Sequence, residues 1–340
     1  MVNPYAGKVM TVSGPVPAEA LGAVLMHEHL YFDLEVSREE DATPPARVEL
    51  LRNYCAPSLK KLHDYGCHAI VDCSTTPGRA EPSVYQMLAA ASGCHIILST
   101  GFYREASVED AWRAVGTGRP HRWLDPMVAE SSVEQLRDFM VGEFERGIRG
   151  SALRPGIIKL ASTKPDFTAG EEKAFRAGAQ AQRRTGLCIT THAVDLGVPE
   201  AQLNLLEAAG ADLRRVVLGH TSRLIVETPW VARRCLDRGA TLLPTNLRMD
   251  REFEFNRRLV SGIRRLFDQG YGDRLVLGLD WSFSNSAGFF IPCWYMPPPP
   301  YVYMFQFTLP RMRELGLEEE AIEQMLVRNP ARLLPIAAVG

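Results

Sequence analysis

Eight short apolar runs, spread along the chain and separated by helical patterns, limit what this sequence can fold into. They are "AVLMHEH" (23–29), "HAIVDC" (68–73), "CHIILSTG" (94–101), "GIIKLA" (156–161), "LCITTHA" (187–193), "RVVLGH" (215–220), "ATLLPT" (240–245) and "RLVLGLD" (274–280). Each is continuous rather than alternating in polarity, the pattern of strands covered on both faces in a parallel sheet. Amphipathic stretches lie between them, among them 48–66, 131–147 and 169–186. Gly66, Gly147, Gly186 and Gly239 stand where such helices stop. Eight strands alternating with helices predict an α/β fold, a (β/α)8 TIM barrel with right-handed crossovers. No linker divides the chain, so residues 1–340 are expected to form a single domain. The stretch "MPPPPY" (296–301) cannot be helix or central strand and reads as a rigid loop near the barrel mouth.

Composition excludes several partners. The formal net charge is −2, so neither nucleic acid nor an anionic membrane is expected. No apolar segment reaches the ~18 residues of a membrane span. The start "MVNPYAGKVMTVSG" lacks a signal-peptide pattern. Seven cysteines are scattered without a CxxC pair, which fits reduced thiols in a cytoplasmic protein. A small-molecule substrate and a homodimer are the default expectations.

The active site of a (β/α)8 barrel lies at the C-terminal ends of its strands. His27 and His29 end the first run, two apart and so on one face of a strand. Lys159 lies in the fourth run, His192 ends the fifth, His220 the sixth and Asp280 the eighth. A single histidine at a strand end is more often a hydrogen-bonded structural residue than a ligand. A lysine in an apolar run can snorkel to the rim, and an aspartate after a strand can simply form a turn. Five such accidents at one barrel mouth are a poorer account than one shared site. Imidazole and carboxylate suit zinc, manganese, cobalt or iron, and the absence of cysteine from the set favours an open catalytic site. A protonated Lys159 would repel a cation; it becomes a ligand only when deprotonated or converted to an anion.

The motifs "LMHEHL", "GIIKLAST", "TTHA", "LGHT" and "LDWSF" resemble the phosphotriesterase family of the amidohydrolase superfamily. The likeness extends to "VDCSTTPGR" (71–79) and "LPRMRELGLEEEAIEQMLVRNPARLL" (309–334). The resemblance implies an amidohydrolase-like barrel with two divalent metal ions, zinc first, with manganese, cobalt or iron as alternatives. His27, His29 and Asp280 would hold the more buried ion, and His192 and His220 the more exposed one. An N6-carboxylated Lys159 would bridge them. A metal-bridging hydroxide would attack the carbonyl of a lactone, carboxylic ester or amide, with Asp280 accepting its proton. Glu28 is expected to face the other way and to be structural.

The substrate side is less determined. In lactonase-like members a tyrosine leans over the metals, and Tyr103 matches it; an ordinary aromatic at the rim is the alternative. Arg248 and Asp250 either contact a polar substrate group or pair with each other. Many relatives carry an acidic residue just beyond the sixth-strand histidine. Here Ser222 and Arg223 stand in that region, so Arg223 is a candidate contact for an anionic substrate. Trp281 is expected to pack beneath the site. The aromatic and proline-rich segment 289–305 is a candidate pocket wall or dimer contact. Two other functions stay open: organophosphate triester hydrolysis, and a binding protein that has lost turnover.

Overall fold

The structure is a computed structural model, and it describes residues 3–32, 42–76, 78–105, 126–162, 164–247, 253–282 and 301–339. A hairpin of β1 (Val9–Thr11) and β2 (Gly14–Val16) precedes the barrel. Three residues per strand are too few to leave a readable sequence pattern. The hairpin caps the barrel floor, where Val12 N–H donates to Ile96 O at 2.8 Å.

Seven strands then pair in parallel in chain order: β3 (Ala23–Glu28), β4 (Cys67–Asp72), β5 (His95–Phe102), β6 (Ile157–Ala161), β7 (Cys188–His192), β8 (Val216–Gly219) and β9 (Thr241–Leu243). They coincide with the first seven apolar runs. The eighth run is not a regular strand, yet it closes the ring. Val276 N–H donates to Leu242 O at 3.0 Å on one side, and Met26 N–H donates to Leu277 O at 3.0 Å on the other. Gly278 permits that closure, because a Cβ there would stand 2.8 Å from His27 N. The fold is the (β/α)8 barrel that the run pattern implies.

Alternation along the strands divides the core. Val24, Met26, Val71, Ile97, Ile157 and Val217 fill the interior, while Leu25, Ile70, Ile96, Ile158 and Leu218 face the helices. Pairing of β3 with β4 shifts register between Leu25 and Glu28. Irregularities of this kind re-aim side chains near sites. Here one lets His27 follow the interior residue Met26 and still turn inward.

The helices start and stop on local signals. Ser132 with Gln135, and Thr168 with Glu171, form capping boxes that begin Val133–Arg146 and Ala169–Thr185. Gly66 and Gly186 end helical segments in the left-handed conformation. A buried ion pair ties the barrel to the first of these helices. Arg79 donates to Glu143 and, at 3.0 Å, to Ser99 O, while Glu143 accepts from Thr100 Oγ1 at 2.6 Å. That network fixes β5 just before it delivers Tyr103. All six described cysteines are buried and free, and Cys293 lies outside the described residues. No helix among the described residues is long and apolar enough to cross a membrane.

Candidate metal centre

Folding brings the C-terminal ends of the strands to one place, and with them the six polar residues singled out above. Lys159 is buried, and its Nζ lies 3.0 Å from His27 Nε2. Asp280 Oδ1 stands 3.6 Å from His27 Nε2 and 3.5 Å from His29 Nε2. Its Oδ2 stands 3.4 Å from His220 Nδ1. The His192 ring completes the group, with its centroid 4.3 Å from that of His220.

Other residues aim these side chains. His29 Nδ1 meets Ser74 Oγ at 3.1 Å, and Ser74 N–H donates to Asp72 Oδ1 at 2.8 Å. His220 Nδ1 meets Thr245 Oγ1 at 2.8 Å. Gln202 holds the His192 carbonyl at 2.7 Å, and Asn246 Nδ2 donates to Asp280 Oδ2 at 3.3 Å. Partners of this kind fix the tautomer and tilt of a ligating ring. Sequence reasoning missed these four supports. Their only signal was positional: Ser74 follows the second run and Thr245 ends the seventh.

Glu28 is the most committed of the supporting residues. It is fully buried and accepts from Leu279 N–H at 2.6 Å and from Trp281 N–H at 3.0 Å. Those two amides bracket Asp280, whose own N–H donates to His27 O at 2.9 Å. Asp280 has φ 59° and His220 has φ 61°. A left-handed non-glycine residue costs about 1–3 kcal/mol and persists only where its surroundings over-determine it. Glu28 supplies that restraint for Asp280, and its structural role is as expected. Before His220, Gly219 supplies the clearance, since a Cβ there would lie 2.2 Å from Thr191 O.

Electrostatics favour neutral donors. Burial, and then the charge of Lys159, holds His27 well below the usual imidazole range. Burial likewise depresses His192, and it lowers His220 to about 4. The Lys159 amine is also lowered, chiefly by burial. Burial pushes Asp280 up, but His220, His29 and Lys159 outweigh it and keep the carboxyl below its ordinary range. Donor atoms of His27, His29 and Asp280 lie within 4.8 Å of one another. His27 Nδ1 and His220 Nε2 are buried with no hydrogen-bond partner. Neutral imidazoles at His27, His192 and His220 beside an ionised Asp280, with ring nitrogens left over, fit a divalent cation.

A testable consequence concerns His220. Its folded pKa is depressed, so the stabilisation it carries is present above about pH 6.5 and is lost as pH falls through about 4. Histidine-resolved NMR of metal-free protein is expected to show its ring still neutral at pH 5.5. A midpoint between 6 and 7 contradicts this burial.

The substrate-side candidates fall in different places. Tyr103 sits at the mouth, its ring 5.4 Å from His192 and 5.2 Å from Phe32, which itself stacks on His29 at 5.0 Å. Burial pushes the Tyr103 phenol up to about 12. Trp281 is buried against Tyr303, with ring centroids 4.9 Å apart. Arg223 faces solvent and pairs with Glu227 at 2.9 Å along the helix Ser222–Glu227. Arg248, Asp250 and residues 283–300 lie outside the described residues.

The model of the phosphotriesterase family matches residues 7–334. This chain belongs to that family. The phosphotriesterase homology protein of Mycobacterium tuberculosis (strain H37Rv) is 29% identical over 329 residues, covering 95% of this chain and 96% of that protein. The N-acetyltaurine hydrolase of Mus musculus is 26% identical, covering 98% of this chain and 99% of its own. Among solved structures, a variant organophosphorus hydrolase from Deinococcus radiodurans aligns with TM-score 0.76 and 28% identity, over 98% of this chain and 99% of its own. A structure engineered for organophosphate hydrolysis from a weak promiscuous lactonase template aligns at 0.75 and 27%, over 96% of this chain and 99% of its own. The phosphotriesterase-family member described here is thus a metal-dependent hydrolase on the family barrel.

Proposed function

We propose that this hydrolase holds two divalent cations, zinc first, and opens the carbonyl of a lactone, carboxylic ester or amide. His27, His29 and Asp280 would hold the inner ion, His192 and His220 the outer one, and a carboxylated Lys159 both. The observation that carries this reading is the placement of Lys159, buried with its Nζ 3.0 Å from His27 Nε2. Burial lowers its pKa, and a neutral amine is the form that takes up carbon dioxide. The product is an anion with two oxygens, which suits a bridge between cations.

Bound there, the cations supply a Lewis acid for the carbonyl oxygen and lower the pKa of water. The chain's own residues do the rest. Asp280, held ionised and oriented by Asn246, accepts a proton from the attacking water at a carboxylate oxygen. Tyr103 and Phe32 form an aromatic wall over His192 and His29 that excludes bulk water and seats the acyl part of the substrate. A carbonyl substrate is in keeping with relatives named for amide and lactone hydrolysis. A phosphotriester is the second reading, favoured by the organophosphorus hydrolase alignment. The enzyme is proposed to work in the cytoplasm, as a single-domain protomer of a homodimer.

The test is a panel of lactones, aryl esters, N-acyl amino acids and an aryl phosphotriester, assayed with zinc- or manganese-loaded protein. The expected result is a carbonyl substrate at least about tenfold above the triester in kcat/KM, a difference of ~1.4 kcal/mol in barrier. A triester at the top selects the second reading. No turnover of any class by fully loaded protein contradicts both.

A further inference from the structure

The helix Phe253–Asp268, "FEFNRRLVSGIRRLFD", carries two arginine pairs, Arg257–Arg258 and Arg264–Arg265. Seven residues are about two helical turns, so Arg258 and Arg265 lie on one side of the helix, about 10 Å apart along its axis. Leu259, Val260, Ile263 and Leu266 form its buried side. Gly262 stands between the arginine pairs, where a Cβ would lie 2.6 Å from Ile225 Cγ2 of the helix Ser222–Glu227. The bare backbone at Gly262 admits the neighbouring helix and leaves a groove along the contact. That groove has two parts, of about 230 and 320 Å³, which share Ile225, Pro229, Gly262 and Arg265 as walls.

Every charged residue lining the groove is an arginine: Arg233, Arg257, Arg258 and Arg265. All four are exposed. Arg257 is answered by Glu254 at 2.7 Å. Arg258 donates to a neutral group, Val226 O, at 3.2 Å. Among the described residues no carboxylate pairs with Arg233, Arg258 or Arg265. The lack of acids is local to the groove. On the helix Pro229–Asp237, Arg234 pairs with Glu200 at 2.7 Å, and just beyond it Arg238 pairs with Glu207 at 2.8 Å. The acids closest in sequence are engaged elsewhere: Glu227 by Arg223 at 2.9 Å, and Asp237 by the Tyr271 hydroxyl at 2.5 Å. Three uncompensated guanidiniums thus border one groove in a chain whose formal net charge is −2.

A single exposed arginine–anion pair contributes little. A ligand held here must engage several guanidiniums at once. A diphosphate does so, because its charge and acceptor oxygens are spread over two phosphorus centres and guanidinium forks match phosphate oxygens in pairs. Ile225, Pro229 and Ala232 supply an apolar floor beside those charges. We propose that this groove is a binding site for a small organic diphosphate, its charges received by Arg233, Arg258 and Arg265 and its apolar body by Ile225, Pro229 and Ala232. None of the six residues of the candidate metal centre lines the groove, and the proposal is independent of the hydrolase reading.

The probes are dimethylallyl diphosphate, inorganic pyrophosphate and inorganic phosphate. Each is titrated into metal-loaded full-length protein at about 0.15 M salt, where exposed charges are screened beyond ~8 Å. The side-chain Nε–H signals of Arg233 and Arg265 are followed by NMR and assigned from Arg233→Gln and Arg265→Gln, which distinguishes ligand in the groove from ligand on the metals. Both signals are expected to shift together with one dissociation constant. Pyrophosphate is expected to bind about tenfold more tightly than phosphate, and dimethylallyl diphosphate about tenfold more tightly again. Each variant is expected to lose about fivefold for the organic diphosphate, and the double variant at least about twentyfold, with metal content and thermal midpoint unchanged. Signals that stay still while the ligand binds place it on the metals and overturn the proposal, as does no binding at all. Equal affinity for phosphate and pyrophosphate reduces the groove to an adventitious ion site and overturns it too. Equal affinity for pyrophosphate and dimethylallyl diphosphate overturns the apolar floor. Undiminished affinity in the folded double variant overturns the arginine assignment.

Discussion

A Lys159→Ala protein is expected to retain less than half the metal of the wild type and to lose at least about a hundredfold in kcat/KM. The lysine is buried with its Nζ 3.0 Å from His27 Nε2, and in the proposed centre its carboxylated form faces both the His27–His29–Asp280 set and the His192–His220 pair. Alanine leaves those five donors in place but removes the group proposed to join them. Acetate or propionate should enter the vacated space and restore part of both metal and activity. The same substitution carries a second, opposite expectation. A buried amine among imidazoles is a cost to the metal-free fold, and its lowered pKa records that. Lys159→Met, which keeps the volume, should raise the stability of metal-free protein by about 1–4 kcal/mol in denaturant titrations. Undiminished metal in Lys159→Ala contradicts the bridging role, and an unchanged or lower midpoint for Lys159→Met contradicts the electrostatic cost.

Glu28→Ala is expected to destabilise the protein by about 2–6 kcal/mol, from two buried amides left without acceptors at about 1–3 kcal/mol each. Those amides belong to Leu279 and Trp281, so the damage falls on the segment that presents Asp280. With the restraint gone, Asp280 can leave its left-handed conformation at φ 59°. Glu28→Gln keeps shape and one acceptor while turning an amide NH2 toward a backbone N–H, and should give a smaller loss. The readout that separates positioning from plain structure is inner-site metal affinity, measured by chelator competition under conditions where each variant is fully folded. Weakened affinity in folded Glu28→Gln supports Glu28 as the restraint that positions Asp280. Wild-type affinity in that variant reduces Glu28 to a packing residue.

Much of this was legible in the sequence because both signals are local. A strand buried on both faces must be apolar throughout, so seven barrel strands announced themselves, and strand C-termini then located the six polar residues. Three things stayed hidden for physical reasons. The β1–β2 hairpin is too short to show a period. The eighth run was read as a strand, but it meets its neighbours through scattered bonds around Gly278, a matter of close approach that apolarity does not encode. The supports Ser74, Thr245, Asn246 and Gln202 are common polar residues whose role exists only once distant strands meet. Glu28 was read as structural, yet its grip on the Asp280 segment crosses 251 positions to Leu279. Arg223, just past the sixth-strand histidine in sequence, pairs with its own helix neighbour Glu227, a contact that only the folded helix reveals.

The most direct test of the binuclear centre combines elemental analysis with native and acidified intact mass on protein grown with zinc. The account predicts about two metal ions per chain and a mass increment of one carbon dioxide that disappears on acidification and in Lys159→Ala. One ion or none after reconstitution, with an unmodified Lys159, would contradict it.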